Sequence, residues 1–135
     1  MFSFNDIMLG QEEKETLRKL LEEQEGVPIS VHTGIRELWY QNEDRESELR
    51  LLFLGTYQLT VSRVGFINRR RGTMTKVLDV LETFCKRNKV EQLLIQSVET
   101  LEMANWCIKM GFTPDPNATF LIDGLLTGDY RKKML

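Results

Sequence analysis

Histidine and cysteine are nearly missing from this chain: His32 is the one histidine, and Cys85 and Cys107 are the two cysteines. These are too few for a zinc centre of the usual Cys and His kind, so no metal is expected. Both cysteines fall on apolar helical faces, which reads as buried free thiols rather than a disulfide. The sequence also lacks a basic leader followed by a long apolar run. Neither a signal peptide nor a membrane span is therefore expected, and the default is a cytoplasmic protein without a membrane partner. Nor does one sign of charge dominate: 18 Lys and Arg against 20 Asp and Glu leave a formal net charge of -2. That balance argues against a surface built throughout for nucleic acid or anionic lipid. Any anion site must be local.

What is present suits one globular domain over the full 135 residues, with 41% apolar and 28% charged residues. Leu17, Leu20 and Leu21 recur at helical spacing within a helix expected from Gly10 to Gln24, which Gly26 and Pro28 end. Phe2 to Met8 offers a short edge strand before it. From Ile29 the pattern becomes extended, with strands expected over Ile29 to Tyr40 (with a break at Gly34), Glu48 to Leu54 and Tyr57 to Phe66. Polar or turn-forming separators make these an antiparallel meander. Trp39, Tyr40 and Trp106 read as core residues.

Val77, Leu78, Leu81, Phe84 and Cys85 then trace one buried stripe of an amphipathic helix. Lys86, Arg87 and Lys89 follow at its C-terminal end, where positive charge complements the helix dipole. Val90 to Val98 is a strand with a continuous apolar centre, so the strand, helix and strand imply a right-handed parallel crossover. A further helix is expected over Thr100 to Met110, burying Leu101, Ala104, Cys107 and Ile108 and capped by Gly111. Ala118 to Ile122 and Tyr130 to Leu135 are the final strands, joined through Gly124 to Asp129.

Positive charge concentrates at one place. Arg69, Arg70, Arg71 and Gly72 lead directly into the Val77 helix, with Arg63 and Lys76 nearby and no acidic residue from Arg63 to Lys76. A helix N-terminus carries unpaired backbone N-H groups and about half a unit of positive charge, and a glycine lets the backbone approach a phosphate closely. A solvated arginine loop explains the run equally well. A duplex nucleic-acid partner is disfavoured because no basic stripe continues elsewhere.

The order of elements, with the segment Arg69-Arg70-Arg71-Gly72-Thr73-Met74 and the paired aliphatics Val77-Leu78, resembles the GNAT superfamily of acyl-CoA N-acyltransferases. The resemblance covers Leu59 to Phe112. That family's motif is Arg or Gln, two residues, Gly, one residue, then Gly or Ala; Met74 departs from it at the last position. A second signature helix, here ETLEMANWCIKMGF, closes on Gly111-Phe112, with Thr100 at the usual asparagine position and Cys107 at the usual tyrosine position.

The resemblance implies an α/β (α+β) fold: a mixed, mostly antiparallel sheet with one parallel βαβ crossover, helices on both faces and a shortened N-terminal, acceptor-side region. It implies acetyl-CoA as co-substrate and an unidentified amine acceptor that attacks the thioester directly. The coenzyme A pyrophosphate would rest on backbone amides from Arg70 to Thr75, flanked by Arg69 and Arg71. The pantetheine arm would insert beside Ser62 and Val64, where the strands ending at Val64 and Val98 part, and Thr100 would border it. A backbone N-H near Val64 is placed to serve the oxyanion.

For the proton donor, Cys107, Tyr130 and Tyr57 are candidates; for the base, Glu99, Glu48 and His32. Each also has an ordinary structural explanation. Three functions stay open: an acetyltransferase, a GNAT-like coenzyme A-binding or regulatory protein without turnover, and a small nucleic-acid-binding module. An acceptor side this short is expected to be open or completed by a second subunit in a homodimer.

Overall fold

The computed structural model describes residues 7–69 and 71–135, and its helices and strands follow the expected order. Arg70 and most of the edge strand expected at Phe2 to Met8 lie outside the described residues. Helix α1 (Gln11–Glu25) leads into β1 (Ser30–Gly34), β2 (Glu37–Gln41), β3 (Glu48–Leu54) and β4 (Gln58–Gly65). Next come α2 (Thr73–Asn88), β5 (Gln92–Val98), α3 (Leu101–Lys109), β6 (Thr113–Ile122) and β7 (Leu125–Lys133). The strands form one seven-stranded sheet in the order β1-β2-β3-β4-β5-β7-β6, in which only β4 and β5 pair in parallel.

Side-chain contacts place all three helices against the same sheet face. Phe53 of β3 meets Phe84 of α2 edge to face, and the Tyr40 hydroxyl of β2 donates to the Lys14 carbonyl of α1 at 2.9 Å. Lys132 of β7 reaches Glu82 of α2 at 2.6 Å and the Met110 carbonyl, just past α3, at 2.9 Å. This corrects the expected two-sided placement while leaving the fold class intact. The reason is handedness: β4-α2-β5 and β5-α3-β6 both cross the sheet in the same direction, so both right-handed crossovers put their helix on one side. Antiparallel strands tolerate a second face that no described helix covers. There Glu37, Trp39, Glu48, Arg50 and Arg63 form a polar network, with Arg50 to Glu37 at 2.7 Å and Arg63 to Glu48 at 3.0 Å.

The core is continuous from Leu17 and Leu21 through Leu49, Leu51, Phe53, Leu59 and Val61 to Val77, Leu81, Leu93, Ile95 and Tyr130. Two local expectations change. On α3, Leu101 and Ile108 are 62% and 54% exposed, whereas Ala104 and Cys107 are buried and Met103, Trp106 and Met110 pack beside them. Two apolar stripes overlap at helical spacing on this helix; the one carrying small residues at its centre turns inward and lets α3 approach the sheet. The final hairpin turns at Asp123-Gly124, with φ +51 and +81, rather than through Gly124 to Asp129. Positive φ at both positions is what a two-residue turn between twisted strands requires, and Asp-Gly supplies it.

β6 carries extra residues between Pro114 and Thr119 that β7 does not match. Gly128 makes room for them: at φ +117, an added Cβ would lie 2.2 Å from the Ala118 carbonyl oxygen. At Gly124 nothing lies within 4 Å, so only the backbone conformation opposes a side chain.

Gly128→Ala is therefore expected to cost on the order of 3 kcal/mol, against about 1 kcal/mol for Gly124→Ala. Denaturant titration of the two variants should separate them, and equal midpoints would contradict the close approach at Ala118. A second expectation concerns Cys85 and Cys107, whose thiols burial pushes up to about 12, with Glu82 adding to the effect at Cys85. A thiol reagent at pH 8 should label neither cysteine in the native protein and both after denaturation, since only the thiolate reacts.

Candidate functional site

β4 and β5 are paired only from Gln58 with Gln92 to Val61 with Ile95, after which both strands continue without pairing to each other. Two irregularities open this gap. The β3–β4 register shifts beside Arg50 and Leu51, leaving Ser62 as an extra residue, and the β5–β7 register shifts between Ile95 and Val98. Bulges bend and twist the strand that carries them. Ser97 adopts φ +56, and its backbone N-H donates to Asp129 Oδ1 at 3.1 Å instead of continuing a ladder.

The gap widens into a cleft of about 850 Å³, within the range of about 300 to 1,000 Å³ usual for small-molecule sites. One wall is Ser62, Arg63 and Val64 of β4; the opposite wall is Ile95 to Val98, followed by Glu99 and Thr100. Its far side is the turn before α2, with Asn68, Arg69, Arg71 and Gly72 to Thr75, while Met103 and Trp106 of α3 close the remaining side. The structure thus gathers Ser62, Val64, Arg69, Arg71, Gly72, Thr73, Met74, Thr75, Glu99 and Thr100 around one cavity.

The three helix N-termini differ in what occupies their free amides. At α1, Glu13 accepts from the Gly10 backbone N-H at 3.0 Å, and Glu12 and Glu13 place negative charge in the first turn. At α3, Thr100 Oγ1 accepts from Met103 N at 3.1 Å, so the residue at the family's asparagine position acts here as a helix cap. At α2, Gly72 stands at the cap position with φ +74, no side chain caps the helix and no acidic residue falls in its first turn. Gly10 and Gly72 both lack a capping side chain, but α1 carries Glu12 and Glu13 in its first turn; α2 has neither a capping side chain nor an acidic first turn, and its entrance borders the cleft. Arg69 and Arg71 are exposed beside it and make no ion pair with a described residue. Arg50 and Arg63 also border the cleft, but each is matched to a carboxylate. Excess positive charge is therefore confined to the α2 entrance, where backbone amides and the helix dipole act in the same sense.

The proton-transfer candidates fall outside this cavity except for Glu99. Cys107 is fully buried, and the Tyr130 hydroxyl donates to the Leu126 carbonyl at 2.8 Å, with its phenol pushed up chiefly by burial. No Cys, Tyr or His side chain lines the cleft among the described residues. His32 and Tyr57 are exposed elsewhere, and Glu48 is held by Trp39 and Arg63. Among the described residues, no group of three or more His, Cys, Asp or Glu could hold a metal ion.

Several cleft residues escaped the sequence reading. Trp106, taken there for core, is a wall: its Nε1 donates to Thr75 Oγ1 at 3.0 Å, and its ring stacks on Phe112 with centroids 6.2 Å apart. Arg50, Glu102 and Met103 also contribute. Their one available signal was position, since Glu102, Met103 and Trp106 sit on a helix already assigned to the motif.

No family model and no curated protein matches the chain by sequence. Solved structures do match in shape. The ribosomal-protein-S18-alanine N-acetyltransferase from Escherichia coli superposes with a TM-score of 0.55 at 11% identity, over 95% of this chain and 92% of that one. An acetyltransferase of the GNAT family from Staphylococcus aureus Mu50 gives 0.50 at 13% identity, over 96% and 98%. Nourseothricin acetyltransferase gives 0.53 at 13% identity over 73% of this chain, which spans 65% of that protein's length. With its mixed seven-stranded sheet, parallel β4–β5 pair and crossover helices, the chain has the fold of the GNAT acetyltransferases.

Proposed function

We propose that this protein is an acetyl-CoA-dependent N-acetyltransferase that moves an acetyl group to an amine by direct attack. The observation that carries the reading is the uncapped α2 N-terminus, with Arg69 and Arg71 beside it in no ion pair with a described residue, opening onto the gap between β4 and β5. An N-terminus with free amides suits a pyrophosphate, and a parted seam offers backbone groups along which a pantetheine amide chain can lie.

In the proposed reaction the amine nitrogen bonds to the thioester carbonyl carbon, the carbon–sulfur bond breaks, and the sulfur leaves with its electron pair. Charge develops on the carbonyl oxygen, for which a backbone N-H near Val64 is the proposed donor. Glu99 is the proposed acceptor for the proton of the attacking ammonium, directly or through water, because it is an exposed carboxylate on the cleft wall. The second proton lost by the acylated nitrogen passes to solvent, and a leaving thiolate with an ordinary pKa near 8.5 can take a proton from solvent, so the burial of Cys107 and Tyr130 does not prevent turnover. Ser62, Val64 and Thr100 border the proposed pantetheine path, and Gly72 to Thr75 with Arg69 to Arg71 the proposed phosphate site.

A second reading, coenzyme A binding without turnover, is favoured by the lack of a tyrosine, cysteine or histidine on the described cleft wall. The two readings share the ligand and differ in catalysis.

Acetyl-CoA at one hundred times its dissociation constant should stabilise the protein by about 2.7 kcal/mol, visible as a rise in melting temperature. No shift at millimolar ligand would remove both readings. Replacing Arg69 and Arg71 together by glutamine should raise the dissociation constant about tenfold or more, through loss of charge-assisted contacts. In an assay of free thiol release over a panel of amines and peptides, Glu99→Gln should lower kcat about a hundredfold with acetyl-CoA affinity unchanged. Binding with no thiol release from any acceptor would favour the non-catalytic reading.

A further inference from the structure

The turn that presents the α2 amides is anchored to a helix far away in sequence. Asn68 Nδ2 donates to the carbonyl oxygens of Gln24 and Glu25, both at 3.1 Å, so an asparagine from the β4–α2 connection satisfies the last carbonyls of α1. α1 has no basic residue in its last turn that would do so itself. The Asn68 backbone N-H donates in turn to Glu25 Oε2 at 3.0 Å. On the other side of Gly72, Thr73 Oγ1 donates to Gln24 Oε1 at 3.2 Å. Gln24, Glu25 and Thr73 are 8%, 3% and 3% exposed, so the Thr73 bond is buried, and the bonds from half-buried Asn68 are part-buried. Glu25 Oε1 is buried with no hydrogen-bond partner among the described residues.

Two polar residues at the end of an amphipathic helix would ordinarily be solvated. Here they are buried at 49 residues' separation from Thr73 and 43 from the Asn68 contact, and they grip the turn on both sides of Arg69 to Gly72. Neither Gln24 nor Glu25 lines the cleft. We propose that Gln24 and Glu25 are positioning residues: by holding Asn68 and Thr73, the C-terminal turn of α1 fixes the start of α2 so that its first amides converge on a phosphate. The proposal rests on the functional reading above for its ligand, though not for its geometry. It makes anion affinity depend on a helix that does not touch the anion.

The test uses the full-length protein, wild type and two variants. Gln24→Leu removes the acceptor for Thr73, and Asn68→Ala removes the side-chain donors to the α1 carbonyls while the backbone N-H to Glu25 remains. In each, coenzyme A affinity measured by calorimetry should fall about five- to tenfold, the scale of one or two lost hydrogen bonds. The same variants should keep a cooperative thermal transition. Hydrogen exchange in the absence of ligand provides the second arm: amides of the 68–76 segment should exchange about tenfold faster, with the β3, β4 and β5 amides unchanged. Should wild-type protein bind coenzyme A and both variants bind it equally well, the positioning role is overturned. Unchanged exchange in the 68–76 segment overturns it too, whether or not any ligand binds. A wild type that fails to bind coenzyme A defeats the functional reading alone, and the exchange arm still decides the anchoring.

Discussion

The parallel seam between β4 and β5 is the constraint from which the remaining architecture follows. A parallel pair cannot be joined by a hairpin, so the chain must leave the sheet, and α2 makes that crossing. The connection from β4 to α2 and the first residues of α2 border the same cleft as the strand ends past Val61 and Ile95, where the seam stops. The Ser62 bulge and the irregularity around Ser97 part the strands there. The parallel crossing thus brings a cleft and a positive helix end together, with the 69–72 turn between them.

α2 divides two demands along its length. Val77, Leu78, Leu81, Phe84 and Cys85 are buried and fix the helix to the sheet, while Thr75 and Lys76 in the first turn are exposed. The entrance would tend to fray if it depended on α2 alone, because Gly72 supplies no capping side chain. α1 supplies the missing restraint through Asn68 and Thr73, and α3 adds the Trp106 to Thr75 bond from the opposite side. The open amides can therefore be held in place without being capped, which is what an exogenous anion requires.

Elements with strong periodicity were legible in the sequence. The Val77 stripe, the alternating meander and the apolar centre at Leu93 to Ile95 each placed their element within a few residues, because period and length admit few alternatives. The basic glycine turn was legible as a candidate anion site, since charge and backbone freedom are local properties. Less legible was α3, where two apolar stripes overlap and packing selected the one containing Ala104 and Cys107. The turn at Asp123-Gly124 did carry a sequence signal in its Asp-Gly pair, though β6 and β7 extend well beyond their most apolar segments. Exposed apolar residues at Phe120, Leu121 and Ile122 show that apolar content in that strand does not report burial.

The sequence by itself determined the type and order of the secondary elements, the excess of positive charge just before α2, and the glycine that gives α2 an uncapped start. Periodicity, charge and φ preference are properties of neighbouring residues, so they need no tertiary context. Only the tertiary structure decided which side chains share the cleft and which face each helix covers. It also decided that Gln24 and Glu25 hold a turn more than forty residues away. Those outcomes depend on crossover handedness, strand register and burial, which arise when distant segments meet and leave no pattern in either segment alone.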